Sequence, residues 1–207
     1  MEKMLVTQGL NELKTLDSRI IRAIDKASFV ASAKTSEKKV TPNVTKEEYI
    51  VSAKASLDSI NDLIARREAI KSAIVESNAN TMVEICGQKY SVAKVIDMKN
   101  SIMYKKMLLN KFKEEFGSAS LKMRKKNADM EDRINDLINT VYGKENKTKP
   151  EDVNSIVVPY REREEYSLVD PINIEEAIKK LEDYIEEFES TVDSTLQISN
   201  CVTTIEF

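Results

Sequence analysis

Residues 78–143 read NANTMVEICGQKYSVAKVIDMKNSIMYKKMLLNKFKEEFGSASLKMRKKNADMEDRINDLINTVYG, and this stretch decides the fold. Its beginning alternates apolar and polar residues on either side of a turn at residues 86–88. Alternation with period two, interrupted by a glycine-containing turn, is typical of a β-hairpin. The sequence therefore predicts two strands, over about 81–86 and 89–92.

The remainder of the stretch predicts one very long helix over about 91–142. It contains no proline, Gly117 is its single glycine, and Gly143 follows as a C-terminal stop. At 1.5 Å per residue this helix would be roughly 78 Å long. Its apolar residues recur three or four apart along one side, which we call the seam. The seam positions expected to meet another helix are Phe112, Phe116, Met123, Asn127, Met130 and Ile134.

A second copy of the chain is the expected partner of this seam. A helix much longer than its neighbours leaves apolar surface uncovered in a single copy, and self-association removes that surface from water. Asn127 interrupts the seam. A buried Asn can fix the register of an oligomer, although this one could equally face solvent.

Composition places the chain in the mainly α class. The 207 residues include only 4 Gly and 4 Pro, and 32% are charged. Zero His removes the commonest general base and metal ligand, so we expect no catalytic residue, no metal and no cofactor, although carboxylate-only chemistry stays open. A net charge of −3 argues against nucleic acid, and no apolar run reaches the 18 residues of a membrane span. The N-terminus does not resemble a signal peptide.

Three further helices are expected, over about 4–33, 45–77 and 171–199, giving an elongated antiparallel bundle or coiled coil in one domain, 1–207. The residues expected on the buried side of the first two are Leu10, Leu13, Leu16, Ile20, Ile24, Ile50, Ala53, Leu57, Ile60, Ile64, either Ala69 or Ile70, and Ile74. Thr45 and Glu48 form a capping-box pattern at the start of the second. Residues 143–169, with two prolines, are expected to be a long connection.

The C-terminal residues 201–206 are β-branched and alternating, which predicts a strand. Because an isolated hairpin is only marginally stable, we expect this strand to pair with the hairpin in a three-stranded sheet at one end of the bundle.

Arg66 and Arg67 on the second helix have two readings. The simpler one is ion pairs on a helix surface or at an interface. The functional one is an anion clamp, because the arginine fork suits bidentate oxyanions, with Asn78 nearby as a further polar group. Charge is also uneven: the long helix is rich in Lys between residues 99 and 126, and the last helix is rich in Glu. We expect these two helices to pack together.

Several segments together resemble a known family. They are Asp62–Arg67, Ile70–Val75, Ser77–Ala79, the hairpin, Val92–Ile96, Ser101–Tyr104 and the ending Asn200–Glu206. They are similar to helical proteins frequent in phages and prophages of Gram-positive bacteria, related to bacterial proteins called septicolysin-like. The resemblance implies a helical bundle with a small β element and a viral origin. It implies no established activity.

Two functions are therefore expected. The first is a non-enzymatic, homo-oligomeric structural or assembly component of a virion or tail, with other phage structural proteins as partners. The second is a factor that acts inside the host, binding a host defence protein or sequestering a small nucleotide signal in a pocket lined by Arg66 and Arg67. We expect the protein in the host cytoplasm or the virion, without contact to membranes.

Overall fold

The computed structural model describes residues 2–143 and 150–207. They form a mainly α-helical bundle, as predicted, with three two-stranded antiparallel sheets. The helices are α1 (Val6–Lys26), α2 (Lys46–Asn80), α3 (Val92–Tyr142), α4 (Pro150–Glu164) and α5 (Ile174–Val202). The strands are β1 (Lys3–Leu5), β2 (Lys39–Thr41), β3 (Val44–Thr45), β4 (Met82–Ile85), β5 (Gln88–Ser91) and β6 (Thr204–Glu206).

These elements divide into two compact units. Unit one comprises Met1–Asn100 and Phe188–Phe207, and unit two comprises Ser101–Glu187. Helices α3 and α5 contribute residues to both. The prediction of a single domain stays a prediction.

Unit one is built on the antiparallel pair of α1 and α2. The start of α1 at Gly9 lies against Ile70 and Ile74 near the end of α2. A Cβ added to Gly9 would lie 3.1 Å from Ile205 Cδ1 and 3.2 Å from Ile74 Cδ1, so glycine permits this close approach of the helices. The buried cluster of this unit consists of Val6, Leu13, Leu16, Ile70, Ile74 and Ile205.

The first helix is shorter than the predicted 4–33. Residues 3–5 form strand β1, and the backbone leaves the helix at Ala27. Val30 is 88% exposed, so no burial supports further helical turns beyond that point. At the second helix, Thr45 and Glu48 form the predicted capping box, and α2 then extends to Asn80, three residues past the predicted end.

The C-terminal strand forms, but the prediction of a three-stranded sheet with the hairpin is wrong. Strand β6 pairs with β1, in a register that sets Met4 opposite Ile205. The reason is burial: Ile205 is 3% exposed in the α1–α2 core, and Met4 packs against the same cluster. A three-residue strand at the N-terminus carries too little pattern to be recognised in advance.

The predicted hairpin is confirmed as β4 and β5. Cys86 and Gly87 connect them with φ values of 50° and 69°. Two consecutive positive φ angles are typical of a type I′ turn, whose twist matches that of the paired strands. The hairpin leads directly into α3.

Helix α3 runs for 51 residues and ends before Gly143, as predicted. The long connection predicted over 143–169 is wrong, because it contains α4; residues 144–149 lie outside the described part. Pro150 is the first described residue of α4, and proline at the first position of a helix removes no helical hydrogen bond. Pro159 removes one bond inside the helix, and the packing of Val157 against α3 compensates for it.

Helix α5 begins at Ile174, three residues later than predicted, and continues to Val202. The Asp170 carboxylate accepts the Ile174 amide at 2.8 Å and so caps the helix. Because α5 continues to Val202, the terminal strand begins at Thr204 and not at the predicted residue 201.

Candidate interaction surfaces

Arg66 acts as a clasp inside unit one. Its two terminal nitrogens donate to the two carboxylate oxygens of Glu2 at 2.8 and 3.0 Å, and its Nε donates to Glu12 at 2.5 Å. The guanidinium carbon also lies 5.5 Å from the centre of the Phe207 ring. The predicted anion-binding fork is thus filled by carboxylates of the same chain, and the clasp joins the N-terminus, α1, α2 and the C-terminus.

The pKa values follow from this arrangement. The hydrogen bonds that Arg66 donates to Glu2 and Glu12 raise the pKa of Arg66. In return, the Arg66 guanidinium lowers the pKa of the exposed Glu2 carboxyl below its ordinary value. Each shift stabilises the charged form, as expected for an ion pair.

Arg67 and Asn78 do not converge with Arg66. Arg67 donates from Nε to Asp17 at 2.5 Å on the other side of the helix pair. Asn78 lies 12 residues after Arg66, which is about 18 Å along α2 at 1.5 Å per residue. The structure therefore does not bring the three residues together as one site.

The predicted seam of α3 is largely covered within the chain. Met130 and Ile134 are buried with Val157 of α4. Phe112, Phe116 and Met123 are half-buried. Since α4 packs on the seam, Met130 and Ile134 do not need a second copy to be removed from water.

Asn127 also finds its partner within the chain. Its Nδ2 donates to the Tyr166 carbonyl at 2.9 Å, and its Oδ1 accepts the Tyr166 amide at 2.8 Å. Nearby, Arg161 of α4 makes two bonds of 2.9 Å to the Glu131 carboxylate. The polar position in the seam thus fixes the segment after α4 within the chain. A role of Asn127 in the register of an oligomer stays a prediction.

The oppositely charged helices pack together as expected. Lys113 of α3 pairs with Glu182 of α5 in unit two, and Lys99 pairs with Asp193 in unit one. The Lys105 ammonium lies 3.6 Å from the centre of the Tyr184 ring. The charges of Lys99 and Lys113 are therefore matched by carboxylates of α5 in the same chain.

Sequence reasoning missed a surface on one side of the α1–α2 pair. We call it the side face and define it by Ile21 and Ile24 of α1 and by Ile50 and Leu57 of α2. These side chains are 61%, 47%, 51% and 48% exposed, respectively. Three of the four were expected in the core, because their spacing continues the buried stripe of each helix. Within residues 2–143 and 150–207, no element covers these four side chains fully.

The side face continues past the end of α1. Phe29 and Val30 are 48% and 88% exposed. Together with Val40 and Ile50 they line an open groove of about 340 Å³. The hydroxyls of Ser28 and Tyr49 lie 2.9 Å apart and tie the chain after α1 to α2.

A second apolar surface lies on α3 in unit two. We call it the α3 outer face and define it by Met103, Tyr104, Met107 and Leu108, which are between 46% and 67% exposed. They fall within two turns of helix on the side away from buried Leu109. Methionine side chains are flexible and adapt to partners of different shape.

These findings define a mainly α-helical bundle with exposed apolar helix faces. Among the described residues, no group of His, Cys, Asp and Glu could hold a metal ion, and no helix is apolar enough over sufficient length to cross a membrane. Comparisons with protein-family models, with curated proteins and with solved structures returned no match.

Proposed function

We propose that this protein is a non-enzymatic, homo-oligomeric assembly component of a phage or prophage that associates with the virion or tail. The observation that carries the proposal is the side face, where Ile24, Ile50 and Leu57 stand about half exposed at helical spacing. The apolar rows of two helices are exposed there, and the part of the chain that the structure describes does not cover them.

The free energy available from burying these apolar side chains favours an interaction role for the side face. Full burial of a Leu or Ile side chain contributes about 1.5–3 kcal/mol, so a half-exposed one still offers about 1 kcal/mol. Several such residues on one face provide enough free energy to offset part of the cost of association. Scattered apolar residues are ordinary on protein surfaces, whereas contiguous patches mark interaction sites.

The phage assignment is supported by the sequence resemblance described above, which spans the second helix, the hairpin, the start of α3 and the C-terminus. Assembly components act through surfaces, which agrees with a chain in which Arg66, Lys99 and Lys113 are paired with its own carboxylates.

A second candidate is a phage factor that binds a host protein. The α3 outer face favours it, because Met103 and Met107 form an adaptable apolar patch on a different helix from those of the side face. Sequestration of a nucleotide at Arg66 has weaker support, since Glu2 and Glu12 already occupy that guanidinium.

Native mass spectrometry of the full-length protein, purified from cell lysate under mild conditions, tests the proposal. We expect a single homo-oligomer whose mass is an integral multiple of the 23.5 kDa chain, with no releasable small molecule. A monomer at micromolar concentration would overturn self-association. Proteomics of purified particles should find the protein in virions, and its confinement to the early lysate would favour the second candidate.

A further inference from the structure

The side face has the geometry of one half of a symmetric helical interface. Asp17 precedes Ile21 and Ile24 on α1, four and seven residues away, and Arg67 follows Ile64 on α2 by three. These spacings set each charged residue in the same row as its apolar neighbours. Asp17 and Arg67 bond to each other, so the two rows lie on the same side of the helix pair.

The two rows differ in length and in charge. The α2 row has a seven-residue repeat, Ile50, Leu57 and Ile64, and the α1 row carries Ile21 and Ile24. Close to the ion pair, the α1 row ends in a carboxylate and the α2 row ends in a guanidinium. Asp17 and Arg67 are 50% and 40% exposed, so both charges also remain accessible to a partner.

We propose that a second copy of the chain docks on the side face to form an antiparallel four-helix bundle, with α1 of one copy against α2 of the other. This inference rests on the proposed function and names the surface through which copies meet. A two-fold axis parallel to the helices sets the α1 row on the α2 row of the partner, antiparallel to it. A symmetric contact of this kind buries the same patch on both copies.

Charge complementarity selects a second copy and this arrangement. Rotation about this axis does not change the position of a residue along the axis. Asp17 therefore comes to lie near Arg67 of the partner subunit, and Arg67 near Asp17 of the partner subunit. Attraction at both places fixes the pairing of α1 with α2. The residues of the side face also favour a homodimer. The centre of the side face is purely aliphatic, and homodimer interfaces are more apolar than other interfaces.

The levels of the two rows along the helix axes also match. Helices in four-helix bundles lie 8–10 Å apart when aliphatic side chains interdigitate. Ala23 and Ala27 of α1 line one groove with Ser56 and Ile60 of α2. Ile24 and Leu57 therefore lie at the same level along the helix pair. In the dimer, Ile24 would therefore meet Leu57 of the partner subunit.

The first test compares three full-length proteins by size-exclusion chromatography with light scattering at several micromolar concentrations. They are the wild type, Ile24→Glu with Leu57→Glu on the side face, and Met103→Glu with Met107→Glu on the α3 outer face as the matched control. We expect the wild type and the control to be dimers. The side-face variant should be a monomer, with its dissociation constant raised at least ~100-fold by carboxylates buried in an apolar contact.

The outcomes separate this inference from the proposed function. A monomeric wild type overturns the proposed self-association itself. An oligomeric wild type whose side-face variant stays oligomeric, or whose control alone dissociates, overturns the side face and leaves self-association standing.

The second test uses cross-linking and does not depend on tolerance of charge. Copies with Ile24→Cys are mixed with copies with Leu57→Cys, both in a background of Cys86→Ser and Cys201→Ser, and oxidised. We expect a disulfide-linked dimer that contains one of each copy. A dimer linked only between two residues 24, or no cross-linking at all, would contradict the arrangement.

Discussion

The side-chain amide of Asn127 pairs with the backbone of Tyr166 through two hydrogen bonds of 2.9 and 2.8 Å, one donated and one accepted. A residue that the sequence marked as a break in the helical seam thus fixes a segment 39 positions further along the chain. The amide reproduces both hydrogen bonds that a neighbouring strand would offer to Tyr166. This pairing leads to the first prediction.

Replacing Asn127 by Ala should destabilise unit two by about 1–2 kcal/mol, because Tyr166 loses two hydrogen bonds. Asn127→Asp keeps the acceptor for the Tyr166 amide but sets a carboxylate oxygen against the Tyr166 carbonyl, so it should also destabilise unit two. The measurement is urea unfolding, together with hydrogen exchange at the Tyr166 amide, which should speed up in the Ala variant. Unchanged exchange at that amide would show that the pairing does not form in solution.

Replacing Arg66 by Ala should lower the stability of unit one by about 1 kcal/mol more than replacing Arg67 by Ala, because Arg66 bonds two carboxylates and Arg67 bonds one. Arg66→Lys keeps the charge and loses the fork, so it should fall between wild type and Ala. Urea midpoints provide the comparison. Equal losses for the two Ala variants would argue against the clasp.

Two glycines should respond in opposite directions. Gly9→Val should destabilise by about 1–3 kcal/mol, since a Cβ alone already crowds Ile205 and Ile74. Gly117→Ala should stabilise by about 0.5–1 kcal/mol, because a Cβ there meets nothing within 4 Å and alanine favours helix. Thermal and urea melts of both variants would measure the effects. Stabilisation by Gly9→Val would contradict the close packing of α1 on α2.

Acidification should remove part of the stability through Glu48. Hydrogen bonds from the Thr45 backbone and side chain lower the pKa of Glu48 below its ordinary value of 4.5. A carboxyl whose pKa is lower in the folded state stabilises the fold above its unfolded pKa. That contribution disappears as pH falls below about 4.5 through the folded pKa.

The matched variant for this pH effect is Thr45→Ala. It should cost about 1 kcal/mol near neutral pH through loss of the helix cap. It should also return the Glu48 pKa part of the way toward 4.5, because the Thr45 hydroxyl is lost while the backbone N–H still donates to Glu48; NMR titration of the carboxyl carbon can follow this change. If the Glu48 pKa is the same in both proteins, the Thr45 hydroxyl does not contribute to the shift.

Ile134→Ala should cost about 2–4 kcal/mol, because Ile134 is 4% exposed against Val157 of α4. Leu121→Ala, at a side chain 71% exposed on the same helix, should change stability by less than about 0.5 kcal/mol. The loss at Ile134 should be the same at low and high protein concentration, since the packing is within one chain. A loss that grows with concentration would place Ile134 at a contact between copies.

Local patterns in the sequence determined much of this protein. The alternation in residues 81–92 gave the hairpin, and the absence of proline up to Gly143 gave α3 with its end. The pattern at Thr45 and Glu48 gave a capping box, because capping depends on residues three apart and on nothing distant. The mainly α class followed from composition in the same way.

The tertiary structure decided the pairings. Strand β6 pairs with β1 because Ile205 is buried in the α1–α2 core in that position. Helix α4 forms in a proline-containing segment because Val157 packs on α3. The same holds for the candidate sites. The sequence shows that Ile24 and Leu57 are apolar residues at helical spacing. Which side of each helix stays exposed depends on the elements that pack against it. Which surface packs against a helix depends on residues far away in the sequence. The apolar stripe of the helix does not specify that surface.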